Sequence, residues 1–256
     1  MLPKDPLPAT RTAVMSSRVG YRCSMRLTVI GCSGSAPGPD SPCSCYLVET
    51  DDFRLVLDLG PGASGPLQRY VSPGDVGAVI VSHGHSDHHA DVTQLWRLRE
   101  EFGSIPIPVI GPSDMPEVFT SYPECFTASY AGPDPMKFGS MTVRLARVEH
   151  GECWATRIDD ALCYTADSAP CAALDELAAG SRVLLAEASG LDRDGPIPNH
   201  LTAGDAGRLA ARSGTQLLIL THLRAWQDHA ELLAEAAALT PCPVILAHPG
   251  LRVALA

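Results

Sequence analysis

Four potential metal ligands stand close together in the first half of the chain. His83, His85, Asp87 and His88 form the pattern HxHxDH. Imidazole nitrogens and carboxylate oxygens are common ligands of zinc, manganese and iron at open, catalytic sites. An isolated histidine is usually a packing residue, but four ligand-type residues within six positions indicate metal binding. His89 does not extend the pattern, and we expect it to be solvated or to support a ligand.

The ligand pattern lies between a predicted strand and a predicted helix. The apolar run VGAVIVS at 76–82 precedes it and is typical of a buried strand, whereas DVTQLWRLREEF at 91–102 has helical spacing. A loop at the end of a strand can turn several side chains toward one point, and α/β proteins place their chemistry in such loops. The sequence therefore predicts a metal site at a strand end.

The remaining patterns predict a mixed α/β protein. Strands dominate the first half of the chain, and strands alternate with helices in the second half, which favours layers of both types. Predicted strands cover 26–31, 45–49, 53–60, 76–82, 106–111, 141–150, 153–158, 161–167, 182–189, 215–222 and 243–248, and predicted helices cover 91–102, 170–180, 201–214 and 229–239.

Composition restricts the class of protein. Of 256 residues, 45% are apolar and 19% are charged, so the chain can bury a sizeable core. Residues 1–24 have no hydrophobic period and are predicted to be a flexible tail, and residues 25–256 to be a single domain. The net charge of −10 argues against an extended nucleic-acid surface. No apolar run reaches the roughly 18–20 residues of a membrane span, and no signal-peptide core is present, so we expect a cytoplasmic protein without membrane contact.

Cysteine spacing gives no sign of a structural zinc site. The nine cysteines form an odd set without the paired CxxC motifs of zinc ribbons. We expect most of them to be reduced, buried thiols. Cys43 and Cys45 could alternatively bind an accessory metal, which we consider the less favoured reading.

Five motifs in order along the chain resemble those of the metallo-β-lactamase superfamily. These are LVLDLGPG, HxHxDH, VEHGECWATRI, LCYTADSA and LLILTHLRAW. The resemblance implies an α/β fold of the αββα sandwich type. It also implies two divalent metal ions that hold a hydroxide between them, and zinc or manganese is favoured over iron. One ion would be bound by His83, His85 and His150 and the other by Asp87, His88 and His222, with Asp167 bridging both and Asp58 supporting the ligands.

Within that superfamily, the chain resembles the branch of ribonuclease Z and small bacterial phosphodiesterases. The loop GCSGSAPGPDSPCSC is similar to the opening of that branch, LLAEASG nominates Glu187, and NHLTAGDAGRLA nominates His200. The resemblance implies that Asp87 orients the attacking water and that His200, hydrogen-bonded to Glu187, stabilises phosphoryl oxygens or protonates the leaving group. Alternatively, His200 caps its own helix and Glu187 is a surface carboxylate at a strand end.

Substrate class follows less directly. Ribonuclease Z carries a long arm between its third histidine and its bridging aspartate, but only 16 residues separate His150 from Asp167, so we expect no tRNA substrate. The run HxHxDHxxD ending at Asp91, the tryptophan at 96 and GPSD at 111–114 are most similar to bacterial cyclic-nucleotide phosphodiesterases. We therefore expect a small cyclic phosphodiester such as cyclic AMP as substrate.

Two other functions stay open. Lactonases and thioesterases of the superfamily use nearly the same ligands, so an ester, lactone or thioester hydrolase of a specialised pathway is the alternative enzyme. A binding protein with a decayed site is disfavoured because all seven ligand positions are filled. The resemblance also implies a homodimer.

Several residues outside the motifs have two readings each. Trp96, Trp154 and Trp226 could stack a nucleobase, but core packing is the more usual role of tryptophan. Arg224 could bind a phosphate, although a solvated loop arginine is favoured. We expect His229 and His248 to be structural.

Overall fold

The computed structural model describes residues 24–103 and 106–255 of the chain. Within these residues the backbone forms fourteen strands. In chain order they are β1 (Arg26–Gly31), β2 (Cys45–Glu49), β3 (Arg54–Leu59), β4 (Ala78–Ile80), β5 (Ile107–Gly111), β6 (Phe126–Tyr130), β7 (Met136–Phe138), β8 (Met141–Val148), β9 (Cys153–Ile158), β10 (Leu162–Tyr164), β11 (Val183–Glu187), β12 (Leu217–Thr221), β13 (Val244–Leu246) and β14 (Arg252–Ala254).

The strands make two sheets of seven. The first sheet has the order β14-β1-β2-β3-β4-β5-β6 and the second has the order β13-β12-β11-β10-β9-β8-β7. In the first sheet β14, β1, β2 and β3 pair antiparallel, whereas β3 to β6 pair parallel. In the second sheet β10 to β13 pair parallel and β7 to β10 antiparallel. Each sheet therefore brings the ends of several parallel strands to one edge, where loops can converge.

Helices complete the outer layers. They are α1 (Ser64–Leu67), α2 (Ser86–His89), α3 (Val92–Glu101), α4 (Val118–Ser121), α5 (Ala172–Ala178), α6 (Ala203–Ser213) and α7 (His229–Ala237), with single 3-10 turns at Pro73–Asp75 and Asp192–Asp194. Helices α5, α6 and α7 pack against strands of the second sheet. Helix α6 begins with a capping box, in which the Thr202 hydroxyl accepts from the Asp205 amide and Asp205 accepts from the Thr202 amide.

The core has two parts because the central strands are buried on both faces. On β2, Tyr46 and Val48 join a cluster that contains residues of both sheets. Cys45 and Leu47, which alternate with them, join a second cluster together with Leu95 of α3. This alternation follows from the two-residue period of a strand. Apolar surface is thus buried between the sheets and also beneath the outer helices, which is the arrangement of an αββα sandwich.

The predicted αββα sandwich is confirmed, and the predicted strands and helices are all present. Sequence patterns missed the edge strands β6, β7 and β14 and the short helices α1, α2 and α4. In α2, the second half of the ligand motif forms a helical turn rather than a loop. Residues 1–23 of the predicted tail lie outside the described residues, and the single domain at 25–256 stays a prediction. No helix in the described part of the chain is long and apolar enough to span a bilayer.

Candidate metal centre

The seven predicted metal ligands come from segments that follow strands of both sheets. His83 and His85 follow β4, and Asp87 and His88 lie in α2. The other three follow the second-sheet strands β8, β10 and β12, and they are His150, Asp167 and His222. Although these segments are far apart in sequence, the structure brings all seven side chains together in two groups. Inside each group, the ligand atoms lie within 4.8 Å of one another.

The first group joins His83, His85, His150 and Asp167. His83 Nε2 lies 3.0 Å from His85 Nδ1, and His150 Nε2 lies 3.1 Å from the same nitrogen. The nearer Asp167 oxygen, Oδ2, is 3.8 Å from His83 Nε2. Three imidazole nitrogens and one carboxylate therefore converge, and all of these residues except His85 are buried.

The second group joins Asp87, His88 and His222. His222 Nε2 lies 3.3 Å from Asp87 Oδ2, and His88 Nε2 lies 3.5 Å from the same oxygen. Asp167 reaches this group as well, because its Oδ2 is 3.4 Å from His222 Nε2 and its Oδ1 is 3.4 Å from His88 Nε2. The Asp167 carboxylate thus lies between the two groups.

The donor atoms fit divalent cations. His88 Nε2 and Asp167 Oδ1 are buried and have no hydrogen-bond partner among the described residues, although they face each other. Such unsatisfied buried polar atoms are rare and call for an unseen partner. Burial raises the pKa of the Asp87 carboxyl, but its contacts with His222 and His88 outweigh burial and hold that pKa below its usual range. An ionised carboxylate facing imidazole nitrogens is a set of donors that a cation satisfies.

Asp58 fixes one ligand from behind. Its carboxylate accepts four hydrogen bonds, from the Ser82 amide at 2.7 Å, the Ser82 hydroxyl at 2.9 Å, His88 Nδ1 at 2.8 Å and the Tyr164 hydroxyl at 2.7 Å. Because Nδ1 of His88 is held by this carboxylate, Nε2 is the nitrogen directed into the site. Such partners orient a ligand and make it more basic.

Two further ligands are held by backbone groups that sequence analysis did not identify. The Ser35 amide donates to Asp87 Oδ2 at 3.0 Å. The Asn199 carbonyl oxygen lies 2.7 Å from His150 Nδ1 and accepts its hydrogen bond. Main-chain groups serve at both positions, so residue type gives no signal, although Ser35 lies in the glycine-rich loop and Asn199 is adjacent to His200.

Backbone strain is concentrated around the site. Among the described residues, six other than glycine have a positive φ, and five of them either belong to the site or adjoin it in sequence. These five are Ser35, Asp58, Ala166, Asn199 and His222, with φ between 51° and 64°. Each such residue costs about 1–3 kcal/mol, and strain of this kind clusters at functional sites. The pattern is therefore an argument for function that is independent of the ligand motifs.

Two glycines allow the close approach of chain segments behind the ligands. A Cβ on Gly34 would lie 2.4 Å from the His222 carbonyl oxygen and 2.7 Å from His222 Nδ1. A Cβ on Gly60 would lie 1.9 Å from the Asp87 carbonyl oxygen. Neither distance is possible for a side chain, so glycine is needed where the opening loop meets β12 and where β3 meets α2.

His200 and Glu187 form a pair beside the ligands. His200 Nδ1 lies 2.8 Å from Glu187 Oε2, and its ring centroid is 4.8 Å from that of His150. Glu187 is fully buried and also accepts from the Ser168 amide and the Ser189 hydroxyl, at 2.5 and 2.7 Å. Burial lowers the pKa of His200, but the hydrogen bond and charge of Glu187 outweigh it and raise that pKa above its usual value.

Glu187 is therefore not a surface carboxylate. His200, whose side chain is 17% exposed, is the member of the pair that solvent can reach. In addition, Asp167, Glu187, His200 and His222 form a third group of closely spaced ligand atoms. The hydrogen bonds that Glu187 accepts indicate that it orients His200.

Asp91 has a structural contact. Its carboxylate accepts from the Ser64 amide at 2.9 Å, at the start of α1, and Asp91 belongs to none of the ligand groups. Ser113 of the GPSD segment donates to Glu152 through its amide and its hydroxyl, at 2.7 and 2.5 Å. Two of the three features that favoured cyclic nucleotides in the sequence, Asp91 and the GPSD segment, therefore have local structural explanations.

The tryptophans differ in environment. Trp96 and Trp154 are half-buried and pack against the two core clusters, as predicted. The core prediction is wrong for Trp226, which is 68% exposed in the loop after β12. Arg224 in the same loop is half-buried rather than fully solvated, and its Nε is buried.

The other candidates do not join the ligand groups. His89 is half-buried, and its Nε2 lies 3.2 Å from the Gly84 carbonyl oxygen. Among the described residues, the rings of His229 and His248 are hydrogen-bonded to the backbone carbonyls of Arg224 and Pro249. Cys43 and Cys45 are buried free thiols, as are most of the described cysteines. An accessory metal at these two cysteines has no support from the described ligand groups.

Comparison with known proteins gives consistent matches. A family model described as the metallo-beta-lactamase superfamily matches residues 38–114. The uncharacterized protein ML1173 of Mycobacterium leprae is 35% identical over 247 residues, which cover 88% of this chain and 87% of that protein. The probable metallo-hydrolase YhfI of Bacillus subtilis is 30% identical over 240 residues, which cover 88% of this chain and 98% of YhfI.

Solved structures agree with these matches. The crystal structure of YhfI, described as a metallo-beta-lactamase fold protein, superposes with a TM-score of 0.85 at 31% identity, covering 91% of this chain and all of that one. A diphosphatase of the PhnP family superposes with a TM-score of 0.77 at 19% identity, covering 90% and 97% of the two chains. At that identity the second likeness concerns the fold alone.

Proposed function

The chain belongs to the metallo-beta-lactamase superfamily, and we propose that it is a metal-dependent phosphodiesterase that acts on a small cyclic phosphodiester such as cyclic AMP. The observation that carries this proposal is the buried Glu187 carboxylate held 2.8 Å from His200 beside the ligand groups. A site that used only its metals would not need a buried carboxylate to orient a further, partly exposed imidazole.

Two divalent cations, zinc or manganese, fit the donor set. One would be held by His83, His85 and His150 and the other by Asp87, His88 and His222, with Asp167 shared. Bound there, the cations neutralise negative charge on the phosphoryl group and make water more acidic. Because His and Asp suit zinc, manganese and iron alike, the choice between the metals has to be measured.

The protein residues have separate tasks in this proposal. Asp87, fixed by the Ser35 amide, accepts a hydrogen bond from the attacking water and orients it. His200 uses Nδ1 to bind Glu187, which leaves Nε2 for the substrate. The buried Glu187 carboxylate stabilises the protonated form of His200, so His200 can stabilise a phosphoryl oxygen or donate a proton to the departing alkoxide.

The short chain segment between His150 and Asp167 bears on the size of the substrate. Strands β9 and β10 and their turn occupy most of the 16 residues between His150 and Asp167, so no arm extends from this connection. The net charge of −10 disfavours a polyanion such as tRNA. We therefore propose a small-molecule substrate. The homodimer that the family resemblance implies stays a prediction.

The proposal is tested with purified protein loaded with manganese or zinc. Turnover of bis-p-nitrophenyl phosphate and of 3′,5′-cyclic AMP is measured for the wild type and for Asp87→Ala. We expect turnover that Asp87→Ala abolishes. The alternative is an ester, lactone or thioester hydrolase. It would be favoured if protein that holds two metals cleaves neither phosphate but hydrolyses p-nitrophenyl acetate or a lactone.

A second pair of variants tests the role of His200. His200→Ala should reduce kcat on the phosphodiester by about 100-fold or more, which is typical for loss of a positioned acid. His248→Ala is the matched control, because His248 is exposed and, among the described residues, its ring is hydrogen-bonded to the Pro249 carbonyl and lies in none of the ligand groups. A loss below about tenfold in His200→Ala would contradict the proposed role.

A further inference from the structure

Arg224 occupies a fixed position beside the candidate site. It lies two residues after His222, in the loop between β12 and α7. Before Arg224, the loop is anchored by the Leu223 amide, which donates to the Cys32 carbonyl at 2.8 Å. After Arg224, it is anchored by the Gln227 side chain, which donates to the Ser189 carbonyl at 2.8 Å. The main chain that carries the arginine is therefore held against both the glycine-rich loop and the segment after β11.

The backbone of Arg224 is itself bonded within the loop. Its carbonyl oxygen accepts from the Gln227 amide at 3.0 Å and from His229 Nε2 at 2.9 Å. These contacts explain why a residue of a surface loop is half-buried. They also mean that the side chain starts from a rigid base, which reduces the entropy lost when it binds a ligand.

One nitrogen of the Arg224 guanidinium is left without a partner by the fold. The Nε atom is buried and has no hydrogen-bond partner among the described residues. By contrast, Arg208 and Arg212 form ion pairs with Asp192 and Asp175. A buried donor without a partner costs free energy, because the hydrogen bonds it made to water are lost. In a chain with 29 acidic and 19 basic residues, carboxylates are abundant, so the missing partner is notable.

The loop that carries Arg224 lies beside His200. The Ser189 carbonyl accepts the Gln227 hydrogen bond that anchors this loop, and the Ser189 hydroxyl lies 3.5 Å from His200 Nδ1. His200 is the partly exposed imidazole that lies against His150. The arginine therefore stands on a loop that borders the exposed imidazole of the site.

We propose that Arg224 binds a negatively charged phosphoryl oxygen of the substrate next to His200 and thereby selects anionic over neutral substrates. This inference rests on the proposed phosphodiesterase function and adds a specificity residue to it. A guanidinium suits this task because its planar set of donors matches the oxygens of a phosphoryl group.

The test compares three variants of the metal-loaded protein. Arg224→Gln removes the charge, Arg224→Lys keeps it without the planar donors, and Arg144→Gln is the matched control. Arg144 is an exposed arginine on β8, so its substitution changes the net charge equally. For each, the KM and kcat for bis-p-nitrophenyl phosphate and the Kd for inorganic phosphate, by calorimetry, are measured.

We expect Arg224→Gln to raise both the KM and the phosphate Kd by about tenfold or more, the usual cost of losing a hydrogen bond to a charged group. The kcat should change less, Arg224→Lys should be intermediate, and Arg144→Gln should match the wild type. Values for Arg224→Gln within twofold of the wild type would overturn the inference. So would loss of folding in both Arg224 variants, since the side chain would then be structural.

Failure of the proposed function has a different result. If the wild type cleaves no phosphodiester but binds phosphate in a manner that depends on Arg224, the anion site stands and the reaction is wrong. If the wild type cleaves the phosphodiester and Arg224→Gln does so equally well, the reaction stands and the anion site is wrong.

Discussion

Replacement of Tyr164 by phenylalanine should weaken metal binding although Tyr164 is not a predicted ligand. The Tyr164 hydroxyl donates to Asp58 Oδ2 at 2.7 Å, and the same oxygen lies 2.8 Å from His88 Nδ1. Burial and the neighbouring Asp58 carboxylate raise the pKa of Tyr164 well above its usual value, so the phenol keeps its proton and remains a donor. Tyr164→Phe removes this donor and leaves the ring in place.

The magnitude follows from the bonds that remain. Asp58 keeps three of its four hydrogen bonds, two from Ser82 and one from His88. Loss of a hydrogen bond to a charged group should lower the free energy of unfolding by about 1.5–3 kcal/mol. Partners of a metal ligand affect metal affinity by about 10–100-fold. Because Tyr164 acts through Asp58, we expect the lower end, about tenfold or 1.4 kcal/mol.

Tyr46→Phe is the matched control. Tyr46 is also fully buried, and its ring lies 4.9 Å from that of Tyr164, but its hydroxyl bonds to Thr221 Oγ1 at 2.6 Å. Zinc affinity is measured by competition with a chelating dye, and stability is measured by urea unfolding of metal-free protein. Both variants should be less stable, but only Tyr164→Phe should lose about tenfold in zinc affinity.

The reasoning would be refuted if Tyr164→Phe bound zinc within twofold of the wild type while its stability fell as much as that of Tyr46→Phe. In that case the Tyr164 hydroxyl would stabilise the core without orienting His88.

Three further predictions use other parts of the structure. Gly34→Ala should destabilise the protein by about 1–3 kcal/mol and weaken zinc binding, because the added Cβ would overlap His222. Gly132→Ala is the control and should do neither, because the space around Gly132 is open. Equal zinc affinity in the two variants would contradict the prediction. Burial, with a smaller contribution from nearby carboxylates, raises the pKa of Cys43 to about 12. Iodoacetamide at pH 8 should therefore modify the partly exposed Cys171 in native protein and leave Cys43 unmodified, which peptide mass spectrometry would show. Chelation of the metals should lower the unfolding midpoint by roughly 10 °C, since a ligand at about a thousand times its Kd contributes about 4 kcal/mol; an unchanged midpoint in calorimetry would argue against metal binding by the folded protein.

The sequence by itself determined most of the strands, the four longer helices and the types of ligand. Apolar runs of strand length predicted most strands, because a strand buried on both faces must be apolar throughout. The helix predicted over 201–214 is α6, and a local capping box at Thr202 fixes its start. The HxHxDH pattern at 83–88 predicted a metal site, since the residue types that bind metals are visible in the sequence.

Only the tertiary structure decided how the ligands are held. The Ser35 amide reaches Asp87 across 52 residues, and Tyr164 reaches Asp58 across 106. A backbone amide is the same in every residue type except proline, so its use in a site leaves no trace in the sequence. The positive φ at Ala166 is likewise imposed by packing, because alanine does not favour this conformation by itself. The residue types of the site, and hence its chemistry, can therefore be predicted from the sequence. The positions and orientations of the ligands depend on the two sheets, which bring distant backbone segments together.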